Sequence, residues 1–162
     1  MGEAIPSFEL TNWDGRTVSN ESLKGKATIL VFTYAKCPLA CPLVTFQLKS
    51  LDDDIGSPPD LNYVHVSVNP ADDTPEEVIK HFEKHEIDAQ KDPRWLFLGG
   101  SPEHVAATLD AFDVEVTRKR VDEGTLIEHT IKVLVLGRDG RQVATFDNYH
   151  WEEKEMRLAL GL

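Results

Sequence analysis

Ala27-Thr28-Ile29-Leu30-Val31-Phe32-Thr33-Tyr34, followed at once by Ala35-Lys36-Cys37-Pro38-Leu39-Ala40-Cys41-Pro42, decides how the chain is read. The first eight residues are mostly β-branched, aliphatic or aromatic with little alternation, as a strand buried on both faces requires. Beyond Cys41 the apolar positions Leu43, Phe46, Leu51 and Ile55 fall near helical spacing, with Pro42 tolerable in a first turn. Both thiols therefore stand where a buried strand turns into a helix, which suggests a thioredoxin-like arrangement.

Upstream, Phe8, Leu10 and Val18 flank Asn12-Trp13-Asp14-Gly15, and Asp-Gly between alternating residues predicts a hairpin. Downstream, Tyr63 to Val68 alternates as a strand, with His65 on its outward side. Thr74, Pro75 and Glu77 form a capping box that starts a helix with Val78, Ile79 and Phe82 inward. Trp95 to Leu98 reads as a short strand, and Ser101-Pro102-Glu103 caps a helix carrying Val105, Leu109 and Phe112. A strand over Thr130 to Leu136, a turn at Arg138-Asp139-Gly140, a strand over Gln142 to Phe146 and a helix from about Trp151 to Leu160 complete the chain. The order predicts an α/β fold with a mixed central sheet, helices on both faces and an N-terminal β-hairpin extension, as one domain over residues 1–162.

Composition narrows the function. The 162 residues carry 28 acidic against 17 basic side chains, a formal net charge of −11. Such a surface repels phosphate and argues against nucleic acid or anionic lipid as a partner. No stretch approaches the ~20 apolar residues of a membrane helix. Two cysteines are too few for a disulfide-stapled scaffold, so Cys37 and Cys41 read as one reactive or metal-binding pair. Pro38 and Pro42 beside them break the regular packing that inert core cysteines favour.

At a helix start the unpaired amides and positive dipole end favour the thiolate, which is both nucleophile and metal ligand. Lys36 adds a nearby positive charge. Two thiolates make a soft site suited to Cu(I), and a neutral imidazole would complete a three-coordinate centre. His129, read as the start of the strand Thr130 to Leu136, would lie beside the cysteine end of the first long strand. Taken alone, a histidine at a strand end is more often a hydrogen-bonding group than a ligand. His81 and His85 stand at i and i+4, a metal-binding spacing, yet they read as solvent-facing; His65, His104 and His150 read as structural or exposed. Asp52-Asp53-Asp54 reads as a solvated helix end and Asp72-Asp73 as a capping turn.

Four blocks, Cys37-Pro38-Leu39-Ala40-Cys41-Pro42, Pro70-Ala71-Asp72-Asp73-Thr74-Pro75-Glu76, Trp95-Leu96-Phe97-Leu98-Gly99-Gly100-Ser101-Pro102-Glu103 and His129-Thr130, resemble the Sco/SenC/PrrC family in order and interval. The resemblance implies a thioredoxin-like fold and copper bound by Cys37, Cys41 and His129. It implies Cu(I), with Cu(II) as the second state, and a metallochaperone role in building the copper centre of cytochrome c oxidase. The partners it implies are a copper donor protein and a copper-receiving protein such as cytochrome c oxidase subunit II. It also implies the periplasm or an equivalent extracytoplasmic face, with a membrane tether outside these residues. Two departures stand out: Leu39 and Asn69 occupy positions where the family often has acidic residues, and the lower negative charge disfavours Cu(II).

A second reading uses Cys37 as nucleophile and Cys41 as resolving thiol, a redox-active dithiol that reduces the cysteines of the copper-receiving protein or acts as a redox sensor. A peroxidase of the same fold is disfavoured by Tyr34, which stands where such enzymes place Thr or Ser. Structural zinc would need a fourth ligand that the sequence does not nominate.

Overall fold

The computed structural model describes residues 2–35, 43–122, 124–149 and 151–162. Cys37, Cys41, Lys36, Leu39 and His150 lie outside the described residues, so the sequence expectations that fall on them are not addressed by it.

A seven-stranded sheet forms the centre, in the order β2-β1-β5-β4-β3-β8-β9. Its strands are β1 (Glu9–Asn12), β2 (Thr17–Ser19), β3 (Ala27–Thr33), β4 (Leu61–Ser67), β5 (Trp95–Gly99), β8 (Val133–Leu136) and β9 (Gln142–Phe146). The remaining strands, β6 (Val116–Val121) and β7 (Gly124–His129), pair with each other as a separate two-stranded sheet among the described residues. β3, β4 and β5 run parallel, while β1 and β8 join them antiparallel, so the sheet is mixed as expected. Helices α1 (Leu43–Asp54), α2 (Pro75–Lys84), α3 (Pro102–Ala111) and α4 (Glu153–Ala159) cover both faces.

The two faces have separate cores. Leu30, Phe32, Val64, Val66 and Leu98 point to α3, where Val105, Leu109 and Phe112 meet Phe8, Leu10 and Val18 of the N-terminal hairpin. Ile29, Val31, Tyr63, Trp95 and Phe97 point the other way, to α1, α2 and Met156 of α4. β3 is thus buried on both sides because parallel strands joined by helices have no wet face. Truncating one of its leucines, such as Leu30, to alanine costs about 2–5 kcal/mol.

The punctuation follows local rules. Asn12, Asp14 and Gly15 close the first hairpin: Gly15 takes φ +93°, which favours glycine, and the Asp14 carboxylate accepts from Arg16 N and Asn12 Nδ2. Thr74 and Ser101 cap α2 and α3, their hydroxyls accepting from the backbone N–H of Glu77 and His104. At the outer edge of β9, Glu3 exchanges two backbone hydrogen bonds with Gln142, of 2.9 and 2.8 Å.

Several expectations are corrected. The strand predicted over Thr130 to Leu136 is shorter, Val133–Leu136, and His129 ends β7 rather than starting that strand. The reason is the β6–β7 hairpin, whose polar strands carry too little apolar alternation to announce themselves. Of the four apolar positions read at helical spacing, Leu51 is buried and Ile55 packs against the core, while Leu43 and Phe46 are 44% and 59% exposed; Val44 and Leu48 complete the buried face of α1. The buried stripe Val44, Leu48, Leu51 runs at i, i+4, i+7, which turns Leu43 and Phe46 outward.

His65 is fully buried, not outward, since its face of β4 is covered by α1 and α2. His81, predicted solvent-facing, is buried, and His85 is half-buried. Asp52 is buried too, not solvated: it receives both Arg94 Nη atoms at 2.7 and 2.9 Å, Tyr63 Oη at 2.8 Å and Ser57 Oγ at 3.0 Å. A buried carboxylate persists only with such partners.

Candidate metal centre

His129 is placed by the register of the small hairpin. It pairs with Val116 at the end of β7, and the next residue is clamped: Thr130 N donates to Glu115 O at 3.0 Å while Glu115 N donates to Thr130 Oγ1 at 2.9 Å. The half-buried His129 ring lies with Nδ1 2.9 Å from the Thr130 carbonyl oxygen. A carbonyl only accepts, so Nδ1 carries the proton and Nε2 of the neutral ring carries the lone pair. Burial holds the ring below the ordinary histidine pKa, opposed by that same hydrogen bond. His129 is thereby presented as a neutral Nε2 donor, the state a metal ligand requires.

The end of β3 approaches this ring. Tyr34 is buried and meets His129 edge to face, ring centroids 6.4 Å apart at 81°. Its hydroxyl accepts from Ile127 N on β7 at 3.2 Å. Ala35 is held from the other side, where its N–H donates to Asp73 Oδ1 at 2.9 Å. Asp73 Oδ2 accepts from Ser67 Oγ at 2.6 Å. The chain therefore leaves the described residues toward Cys37 from a point tied to β7 on one side and to the α2 entry on the other.

Asn69, at a position the resemblance marks as commonly acidic, is buried, with its N–H on Ser67 Oγ at 3.0 Å and Nδ2 on Asp72 Oδ2 at 3.1 Å. Asp72 and Asp73 thus serve as turn acceptors, close to the capping role read from the sequence. Among the described residues, no three His, Cys, Asp or Glu side chains cluster as a metal site. His104 is exposed and bonds through Nε2 to the Glu9 carbonyl. Tyr34, Thr130 and Asp73 were not singled out as site residues by sequence; the signal was adjacency, Tyr34 three before Cys37 and Thr130 next to His129.

The SCO1/SenC family model matches residues 2–159. The chain belongs to the SCO1/SenC family. Its sequence is 30% identical over 146 residues to the mitochondrial SCO1 homolog 1 of Arabidopsis thaliana, covering 88% of this chain and 42% of that protein. The chain thus spans less than half the length of that relative. Among solved structures, Bradyrhizobium japonicum ScoI with copper bound superposes with a TM-score of 0.80 at 28% identity, covering 98% of each chain. Arabidopsis thaliana ScoI with copper bound gives 0.76 at 27% identity, over 93% of this chain and 91% of that one. The fold is the thioredoxin-like fold of SCO1/SenC proteins, and this match over nearly the whole chain agrees with the element order above.

Proposed function

We propose that this SCO1/SenC chain binds copper through Cys37, Cys41 and His129 and hands it to a copper-receiving protein during assembly of the cytochrome c oxidase copper centre, on the extracytoplasmic side of a membrane. The observation that carries the reading is His129 itself: a neutral ring with Nε2 as its donor nitrogen, packed on Tyr34 three residues before Cys37. The copper-bound relatives support the choice of metal. Two thiolates and one imidazole form a soft, three-coordinate set, which favours Cu(I). Copper is cargo here, released when a partner offers competing ligands.

The test is a Cu(I) titration of fully reduced protein, without air, against a competing chelator. One tight equivalent that is strongly weakened by His129→Ala, and lost in Cys37→Ser or Cys41→Ser, is the expected result. Binding indifferent to His129 would overturn the ligand set.

A second reading, thiol–disulfide exchange by the same cysteines, draws support from α1, observed from Leu43 directly after Cys41-Pro42. The positive end of a helix favours a thiolate near it. His129→Ala should spare exchange with an oxidised protein substrate while weakening copper binding, which separates the two roles.

A further inference from the structure

A second group of histidines lies away from His129, between α1, α2 and β4. Thr45, in the first turn of α1, is fully buried; its Oγ1 is 3.2 Å from His65 Nε2 and 2.7 Å from His81 Nε2. His65 Nδ1 is 3.1 Å from the Leu96 carbonyl oxygen.

These contacts fix every proton in the chain. The Leu96 carbonyl only accepts, so His65 Nδ1 bears hydrogen and His65 Nε2 bears the lone pair. Thr45 has one hydroxyl proton and must donate it to His65. The short contact with His81 is then a donation from His81 Nε2 to Thr45 Oγ1, which leaves the His81 lone pair on Nδ1. One helical turn further on, the His85 ring centroid is 5.3 Å from that of His81, and His85 Nε2 is buried without a hydrogen-bond partner among the described residues.

A ring nitrogen with its lone pair fixed by an outer hydrogen-bonded chain, on a ring next to an unsatisfied second imidazole, is how protein metal ligands are normally supported. We propose that His81 Nδ1 and His85 Nε2 form a two-imidazole site for a nitrogen-preferring first-row transition-metal ion of the copper or zinc class, separate from Cys37, Cys41 and His129.

The spacing suits it. An ion about 2.0 Å from each nitrogen sits about 3.2 Å from each ring centroid, and the observed separation then corresponds to an angle of roughly 110° at the metal, the tetrahedral value. Burial lowers the pKa of both rings, so both are neutral donors at neutral pH. A groove of about 350 Å³ reaches the His85 side, lined also by Phe46, Lys49, Asp53, Lys84 and Glu86, in which the two lysines and two carboxylates balance. No third His, Cys, Asp or Glu ligand joins them among the described residues, so the remaining positions would fall to water or to a donor from another protein.

The test needs neither copper loading nor transfer at the cysteine site. Protein carrying Cys37→Ser, Cys41→Ser and His129→Ala, or wild-type protein with both thiols alkylated, is titrated with Cu²⁺ followed by electron paramagnetic resonance. Zn²⁺ is titrated in parallel against a chromophoric chelator. One equivalent with two nitrogen donors in the copper spectrum is expected, and His85→Ala, at a half-buried position that leaves the core intact, removes it. Thr45→Val, which deletes the group that orders His81, lowers affinity about 10–100-fold. No bound equivalent, or an equivalent that survives His85→Ala unchanged, overturns the proposal. Because the cysteines are blocked in both samples and His129 is absent from the triple variant, which is the deciding sample, neither result bears on the function proposed above.

Discussion

Tyr34 and His129 meet edge to face where β3 hands over to the cysteine segment and β7 ends, and the Tyr34 hydroxyl holds the β7 backbone two residues before that histidine. One side chain thus sets both the lateral position of the ring and the height of the strand that carries it. Removing the hydroxyl alone, by Tyr34→Phe, keeps the ring contact but strands the buried Ile127 N–H. A loss of about 1–3 kcal/mol in urea unfolding is expected, with Cu(I) affinity reduced less than in Tyr34→Ala, which removes the ring as well. Equal Cu(I) affinities in the two variants would show that the ring contact does not position His129.

Acid should weaken the fold from inside. Burial pushes His65 down to about 4 and His81 down to about 3, below the ordinary histidine value near 6.5. Both are neutral when folded, while the unfolded chain takes up protons as pH falls below about 6.5. Their contribution is therefore fully present above that pH and is lost as pH falls toward the folded values, each at up to about 1.4 kcal/mol per pH unit. Urea unfolding at pH 7.5, 6 and 5 reads the slope, which His65→Gln should reduce.

The Asp52–Arg94 pair is a structural lock under β4 and β5. Asp52→Ala leaves a buried guanidinium with only Asp92 and the Pro58 carbonyl, and should cost about 3–5 kcal/mol in denaturant unfolding. Replacing the exposed neighbour in Asp54→Ala should cost about 0.5 kcal/mol or less, which separates the ion pair from general charge.

Copper should also register as stability. A ligand bound only by the folded state at 100 times its dissociation constant adds about 2.7 kcal/mol. Cu(I)-loaded protein should therefore melt several degrees above the metal-free form in anaerobic calorimetry, and His129→Ala should lose most of the increment while keeping its metal-free melting temperature within a few degrees. An increment untouched by the mutation would remove His129 from the ligand set.

What the sequence disclosed and what it hid divide along one physical line. β3, the Asp14-Gly15 hairpin and the Thr74 and Ser101 caps were legible because each depends on residues within a few positions of one another. His65, His81 and Asp52 were misread because their burial is decided by Thr45 and Arg94, partners far off in the chain that no local pattern reveals. The β6–β7 hairpin was missed because Arg118-Lys119-Arg120 gives no apolar rhythm, and with it went the true position of His129 at a strand's end. Cys37 and Cys41 stood out by spacing; His129 was favoured as a ligand only through the family resemblance, since its contact with Tyr34 joins opposite halves of the sequence.

The two backbone bonds between Glu3 and Gln142 guard the rim of the sheet. β9 is the last strand of the sheet, and its far side would offer free amides and carbonyls to any extended peptide, including another copy of itself. The first residues occupy part of that rim, and a charged side chain at Glu3 makes the remainder a poor template for stacking. Unpairing of residues 2–4 from β9 would leave His129 and Tyr34 untouched yet make the protein prone to self-association through β9.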